Sequence, residues 1–266
     1  MAVMGALNVS PESFYAGSVP ASLESLVAAA LTMVEAGASL VDVGARSTAP
    51  YRSADVTPEE ERGRLGRAVE ALAAKLPVPV SADTTRATVA EAALEAGARI
   101  VNDVSGLSDP AMGHLVRTHG AGVILMAHPD TAPSPRHDPV AAVRTALAAA
   151  LERARRAGIA DEHVVLDPGI GFFRDEAVPW HEWDTRVLAG LSALGDLGRP
   201  LAVGVSRKSF VGAITGRASP AERLAGSLAA TAIAVVNGAA MIRTHDVAET
   251  RDAVAIAERV ARAGRP

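Results

Sequence analysis

The chain has 266 residues, 49% of them apolar, and its 26 basic and 30 acidic side chains give a formal charge of −4. That length suits one large core, expected as a single domain over residues 1–266, with roughly three quarters of the unfolded surface buried and no need of a metal or disulfide to hold it. Cysteine is absent, which excludes thiol nucleophiles and thiolate metal sites. An aromatic content of 3% on a net-negative chain argues against a nucleic-acid groove, which needs a basic face and stacking platforms. No stretch has the apolar length to cross a bilayer, and Met1–Asn8 lacks a basic leader region, so the expected setting is the cytoplasm, away from membranes.

Eight short apolar runs ending in polar residues follow one another, each trailed by a helix-length segment. The expected strands are Ala2 to Val9, Ser39 to Ala45, Val78 to Asp83, Arg99 to Ser105, Gly122 to His128, His163 to Asp167, Pro200 to Ser206 and Ala240 to His245. Their β-branched, apolar character suits strands covered on both faces. After the first, Leu23, Leu26, Val27, Ala30, Leu31 and Val34 fall on one helix face. Further helices open on Thr57-Pro58-Glu59-Glu60, Asp109-Pro110, Asp138-Pro139 and Ser219-Pro220-Ala221-Glu222, each an N-cap followed by a first-turn proline. Three helices close on Ala-Gly, at Gly37, Gly97 and Gly158. This alternation predicts an α/β fold, the (β/α)8 or TIM barrel, whose strand carboxyl ends share one site. The connections Ser10 to Ala21, Ser47 to Val56 and Pro129 to His137 exceed what a barrel turn needs; all follow strands and therefore belong to the catalytic rim.

Chemistry-bearing residues gather at those strand ends. The seventh strand ends Gly204-Val205-Ser206-Arg207-Lys208-Ser209 and the eighth Ile242-Arg243-Thr244-His245-Asp246, where barrels frequently bind phosphate. Lys208, Arg243 and His245 form a candidate anion site, against the plainer alternative that Arg207 or Arg243 pairs with Asp246 or another rim acid. Asp83, Asn102, Asp103 and Asp167 end strands three, four and six, and such groups match the adjacent N–H donors of an amino-heterocycle. Alternatively Asp167 caps the Pro168-Gly169 turn and Asp103 serves its own loop. Asn8 ends strand one, where its carbonyl oxygen could ligate a Mg²⁺ shared with phosphates or support the Ser10-Pro11 turn. The seven histidines show neither zinc spacing nor a Ser-His-Asp set.

Taken in order, the segments Asn8-Val9-Ser10-Pro11-Glu12-Ser13-Phe14, Asp42-Val43-Gly44-Ala45-Arg46-Ser47-Thr48, Ala82-Asp83-Thr84, Val101-Asn102-Asp103-Val104-Ser105-Gly106-Leu107, Asp167-Pro168-Gly169-Ile170-Gly171-Phe172, Val203-Gly204-Val205-Ser206-Arg207-Lys208-Ser209 and Ile242-Arg243-Thr244-His245-Asp246-Val247 resemble the dihydropteroate synthase family over nearly the whole chain. The resemblance implies a transferase of folate biosynthesis that joins 6-hydroxymethyl-7,8-dihydropterin diphosphate to p-aminobenzoate and releases pyrophosphate. It implies Asp83, Asn102, Met126, Asp167, Gly204 and Lys208 around the pterin, with Asn8, Arg243 and His245 at the diphosphate assisted by Mg²⁺. Lys208, Arg243 and Asp83 would carry catalysis, and Thr48, Phe172 and Ser206 the second substrate. A homodimer formed through the outer helix Ala221 to Asn237 is expected by the same likeness.

The chain departs from the family pattern where loops meet the second substrate. Arg46-Ser47-Thr48-Ala49-Pro50-Tyr51 stands in place of Glu-Ser-Thr-Arg-Pro-Gly, and Ala16-Gly17-Ser18 in place of Asp-Gly-Gly. Met126-Ala127-His128-Pro129-Asp130 stands in place of a Met-His-x-x-Gly pattern, and Phe172-Phe173-Arg174 in place of Phe-Gly-Lys. These changes leave open a pterin-binding paralogue with another second substrate or with no synthase activity. A folate-dependent methyltransferase is a further alternative, opposed by the Ser206-Arg207-Lys208 turn, Arg243 and His245.

Overall fold

In the computed structural model residues 1–10, 22–47, 56–132, 137–174 and 177–264 are described. Eight parallel strands run β1 (Ala2–Asn8), β2 (Leu40–Gly44), β3 (Val80–Asp83), β4 (Ile100–Asp103), β5 (Gly122–Met126), β6 (Val164–Asp167), β7 (Ala202–Gly204) and β8 (Met241–Thr244). They pair in the order β6-β5-β4-β3-β2-β1-β8-β7, and a single bridge between Leu166 and Leu201 joins β6 to β7 and brings the sheet round to closure. The expected (β/α)8 barrel is the fold.

Among the described residues the helices are α1 (Leu23–Glu35), α2 (Pro58–Ala73), α3 (Ala87–Glu95), α4 (Pro110–His119), α5 (Pro139–Arg156), α6 (Trp180–Ala189), α7 (Ser209–Thr215), α8 (Leu224–Val236) and α9 (Val247–Ala263). Local chemistry starts several where the sequence marks them. The Thr57 hydroxyl accepts from Glu60 N–H, the Asp109 carboxylate from Ala111 N–H, and the Asp138 carboxylate from both Val140 and Ala141. Gly37, Gly97 and Gly158, which follow the closing residues of α1, α3 and α5, have φ of 100°, 111° and 80°. The helix expected from Ala221 to Asn237 is divided. Ser219 and Glu222 form a capping box around a single 3₁₀ turn, Pro220–Arg223, and the α-helix proper begins at Leu224.

Two apolar layers result from the period of two along each strand. Residues facing outward, such as Val41, Val43, Val101, Val123, Leu125, Leu166, Val203 and Ile242, pack under the helices in one continuous core. Their alternates Met4, Leu40, Ile124 and Ala202, with Ile100, Val165 and Met241 against them, form a separate small cluster inside the barrel. That cluster plugs the barrel floor, and each strand's next inward position lies two residues further on.

Several expected strands are longer than the ladders. The paired ladders end at Asp103, Met126 and Gly204, short of the expected Ser105, His128 and Ser206, although Ala127 N–H still donates to the Asp167 carbonyl at 2.8 Å.

Candidate active site

Two residues beyond the apolar plug, the inward positions change character. Leu40 gives way to Asp42, Ile100 to Asn102, Ile124 to Met126, Val165 to Asp167, Ala202 to Gly204 and Met241 to Arg243, while on β3 Ser81 gives way to Asp83. One turn of the barrel wall is therefore lined with carboxyl, amide and guanidinium groups above a largely apolar floor.

Arg243 is the hub. Its Nε donates to Asp42 Oδ2 at 2.7 Å and its Nη2 to Asp83 Oδ2 at 3.0 Å, while Asn102 Nδ2 donates to the same Asp42 oxygen at 3.1 Å. Asp42 is fully buried, and Asp42 Oδ1 and Asp83 Oδ1 are buried acceptors with no partner among the described residues. Burial, reinforced by the neighbouring Asp42 charge, pushes the Asp83 carboxyl up to about 7 despite Arg243. Burial works against the Arg243 cation, but the Asp42 and Asp83 carboxylates hold its pKa above the ordinary value. Gly204 leaves the space beside this hub open: a Cβ there would stand 3.7 Å from Arg243 Cβ and 4.0 Å from Lys208 Nζ.

A second group surrounds Lys208. Its Nζ donates to the Ile170 carbonyl and lies 5.1 Å from the centre of the Phe172 ring. Burial lowers the lysine's pKa and raises that of Asp167, with each charge opposing the other's shift. Asp167 Oδ1 accepts Gly169 N–H at 2.7 Å, so the turn-capping alternative is realised and its second oxygen remains for a ligand. Asp103 serves its own loop, accepting from Ser105 N–H and Oγ and from Leu107 N–H at 2.6–2.8 Å.

At the rim the expected cations divide. Arg207 is taken up structurally, in the alternative read from the sequence: it pairs with Asp246 at 2.6 Å and donates to the Pro220 and Ala221 carbonyls. Its φ of 55° lies in the left-handed region, and Ser227 Oγ and Arg223 secure its backbone N–H and C=O. His245 is no cation: burial, then Arg243, depress its pKa to about 4. Its Nδ1 lies 3.0 Å from Ser206 Oγ. Asn8 Oδ1 accepts Ser10 N–H at 2.8 Å, so the turn-supporting alternative is met, while a carbonyl oxygen retains a second lone pair. Thr48, Ala16 and Ala49 lie outside the described residues.

Among the described residues, the substituted loop positions have defined partners. Arg46 donates to Glu61 Oε2 at 2.9 Å and to Thr85 Oγ1 at 3.0 Å, so the charge that departs from the family pattern meets a buried acid on α2. Arg174 donates to Gly171 O at 3.0 Å and Ser209 Oγ at 2.6 Å, and its guanidinium lies 4.3 Å from the centre of the Trp180 ring. Phe173 is buried in a stack on Trp183, ring centres 4.8 Å apart. His128 Nδ1 accepts Asp130 N–H at 3.3 Å on the outer rim.

Asp42, Asp184 and Glu61 escaped the sequence reading. Asp42 was readable, since it sits two residues beyond an inward apolar residue as Asn102 and Asp167 do. Asp184 on α6 carried no such signal.

A parallel barrel with acid, amide and guanidinium groups in one inward layer and a lysine beside it is built to hold a polar small molecule at its strand ends, and the chain belongs to the family described as pterin binding enzyme, whose profile matches residues 4–245. Within that family it is 40% identical over 261 residues to the dihydropteroate synthase of Escherichia coli K12, covering 96% of this chain and 90% of that protein. It is 39% identical over 267 residues to that of Mycobacterium leprae, covering 96% and 91%. A solved Xanthomonas albilineans dihydropteroate synthase with 4-aminobenzoic acid superposes with a TM-score of 0.88 at 38% identity, covering 100% of this chain and 94% of that one. The same enzyme in complex with 7,8-dihydropteroate gives a TM-score of 0.85 at 35% identity, covering 100% and 94%.

Proposed function

We propose that the chain is a dihydropteroate synthase, a transferase that condenses 6-hydroxymethyl-7,8-dihydropterin diphosphate with p-aminobenzoate. The observation that carries this reading is the single inward layer in which Asp83, Asn102 and Asp167 lie beside Arg243 and Lys208, in a chain whose relatives bear that name. The unpartnered Asp83 oxygen and the second oxygen of Asp167 are acceptors for the amino-pyrimidine edge, with Asn102 beside them. Lys208 reaches the ring carbonyl and N5, and Met126 and Gly204 shape the walls.

In the reaction the bond between the pterin methylene carbon and the diphosphate oxygen breaks, its electron pair leaving with diphosphate. The arylamine lone pair forms the new C–N bond, and the amine proton passes to solvent. Arg243 and Lys208 stabilise the departing anion as charge develops on it. His245, neutral and held by Ser206, contributes an N–H rather than a positive charge. Phe172, Ser206 and Thr48 receive p-aminobenzoate and hold its nitrogen against the carbon. Mg²⁺ fits as a proposal with Asn8 Oδ1 as its protein oxygen, since the ion keeps waters and binds substrate phosphates; bound there it would neutralise diphosphate charge.

The chain is further proposed to act in the cytoplasm as a homodimer; among the described residues no helix is long and apolar enough to cross a membrane. Ile214 on α7, Ile233 and Val236 on α8, and Ile256 and Val260 on α9 are each at least half exposed, an apolar surface suited to a second copy. Light scattering at the monomer mass rejects the dimer.

The decisive assay follows pyrophosphate release and product mass when p-aminobenzoate is added to the pterin diphosphate. Turnover with other amines only marks a paralogue, and none with any amine marks a binding protein. Failure of pyrophosphate to compete for the pterin-diphosphate site points to the methyltransferase alternative.

A further inference from the structure

Asp184 is a fully buried carboxylate that the reaction as described does not use. It projects from α6, Oδ1 accepts Gly171 N–H at 2.7 Å, and Oδ2 is buried with no partner among the described residues. Gly171 belongs to the turn that Asp167 holds at its other end through Gly169 N–H. The Ile170 carbonyl between them receives Lys208 Nζ, and the Gly171 carbonyl receives Arg174. The turn is also in contact with the lysine stem: with φ of +86°, Gly171 would place a Cβ 3.1 Å from Lys208 Cδ.

We propose that Asp184 is a positioning residue for Lys208: it pins the turn whose Ile170 carbonyl receives the lysine, and it supplies a second carboxylate facing the ammonium. The inference rests on Lys208 being the residue that meets the pterin, and deepens that reading.

An acid at this position needs a physical reason. To hold Gly171 N–H, a neutral amide oxygen suffices, and it spares the chain the burial of a charge with one unsatisfied oxygen. A carboxylate is the better choice only where its charge is used. The charged and titratable groups that face it are Lys208 from the β7 loop, Arg174 from the β6 loop and His181 from its own helix, with burial raising its pKa to about 6 against all of them. Burial lowers the pKa of Lys208, Asp167 and Asp184 in turn favour its charged form, and the Arg243 and Arg174 cations oppose it.

Lysine occurs only twice in the sequence, at Lys75 and Lys208, so lysine-selective isotope labelling allows direct observation of both side chains by NMR. In Asp184→Asn, which keeps an acceptor for Gly171 N–H, the titration midpoint of Lys208 is expected to fall by about one pH unit or more while that of exposed Lys75 stays put. The alkaline limb of kcat/KM for the pterin diphosphate moves in the same direction. Asp184→Ala, which also frees the turn, lowers kcat/KM by about tenfold or more. An unshifted Lys208 midpoint in Asp184→Asn, or wild-type kcat/KM in Asp184→Ala, overturns the proposal. Should the alanine variant not fold, the asparagine variant decides. Absence of turnover in the wild-type chain would refute the synthase reading and leave the NMR result standing.

Discussion

Replacing Glu61 with alanine removes the acid on which two loops of the site are fastened. Its side chain is 1% exposed and accepts from Arg46 Nε at 2.9 Å, Arg86 Nη1 at 2.8 Å and Thr84 Oγ1 at 2.7 Å. Stripping one partner from a buried ion pair costs about 3–5 kcal/mol. Here the lower figure applies, because Arg46 and Arg86 are 18% and 31% exposed and keep bonds to Thr85 Oγ1 and the Val56 carbonyl. At about 2–4 °C per kcal/mol for a chain of this size, a loss of about 3 kcal/mol lowers the thermal midpoint by roughly 6–12 °C. The functional effect is unequal. Arg46 and Val56 bracket the second loop, whereas Asp83 is held by the β3 ladder, so KM for p-aminobenzoate rises more than the pterin Kd. Thermal unfolding by circular dichroism and steady-state kinetics measure both. A midpoint within about 2 °C of wild type would show that Glu61 holds nothing, and equal losses in both substrates would refute the assignment of this network to the loop.

In Asp42→Asn a like charge beside Asp83 is lost, so the Asp83 carboxyl falls from about 7 and the acid limb of pterin binding moves down by roughly one pH unit; an unmoved limb contradicts the pairing. Asp167→Asn weakens pterin binding by about ten- to a hundredfold in calorimetry, the loss of one charge-assisted contact, and unchanged affinity contradicts the pocket. The His245 pKa is depressed on folding, from 6.5 to about 4, so the stability it contributes is present above pH 6.5 and lost as pH falls through 6.5 toward 4. The wild-type chain should therefore lose stability over that range relative to His245→Gln. Asp83, raised on folding, acts with the opposite sign in both chains and cancels in the difference. If loop two alone limits use of p-aminobenzoate, Ala49→Arg raises kcat/KM, and no change in that assay shifts the cause elsewhere.

Much of this molecule is written locally. Period-two apolar strands, proline-led helix starts and Ala-Gly ends reach over only a few residues, and they are enough to specify eight βα units and hence the rim on which Asn102, Asp167, Lys208 and Arg243 stand. The same period carries the apolar plug and the polar layer above it, so even Asp42 was within reach of the pattern. Partnership was not, because it depends on which strand ends closure brings together. Arg243 meets Asp42 and Asp83 across 201 and 160 residues of chain, leaving it a fixed hub rather than a free rim cation. His245 became neutral, Arg207 became structural, and Asp184 was brought from an outer helix to the Lys208 turn only once packing had set their burial and their neighbours' charges. Side-chain alternation is a property of the strand itself, whereas the electrostatics of a side chain belong to whatever surrounds it.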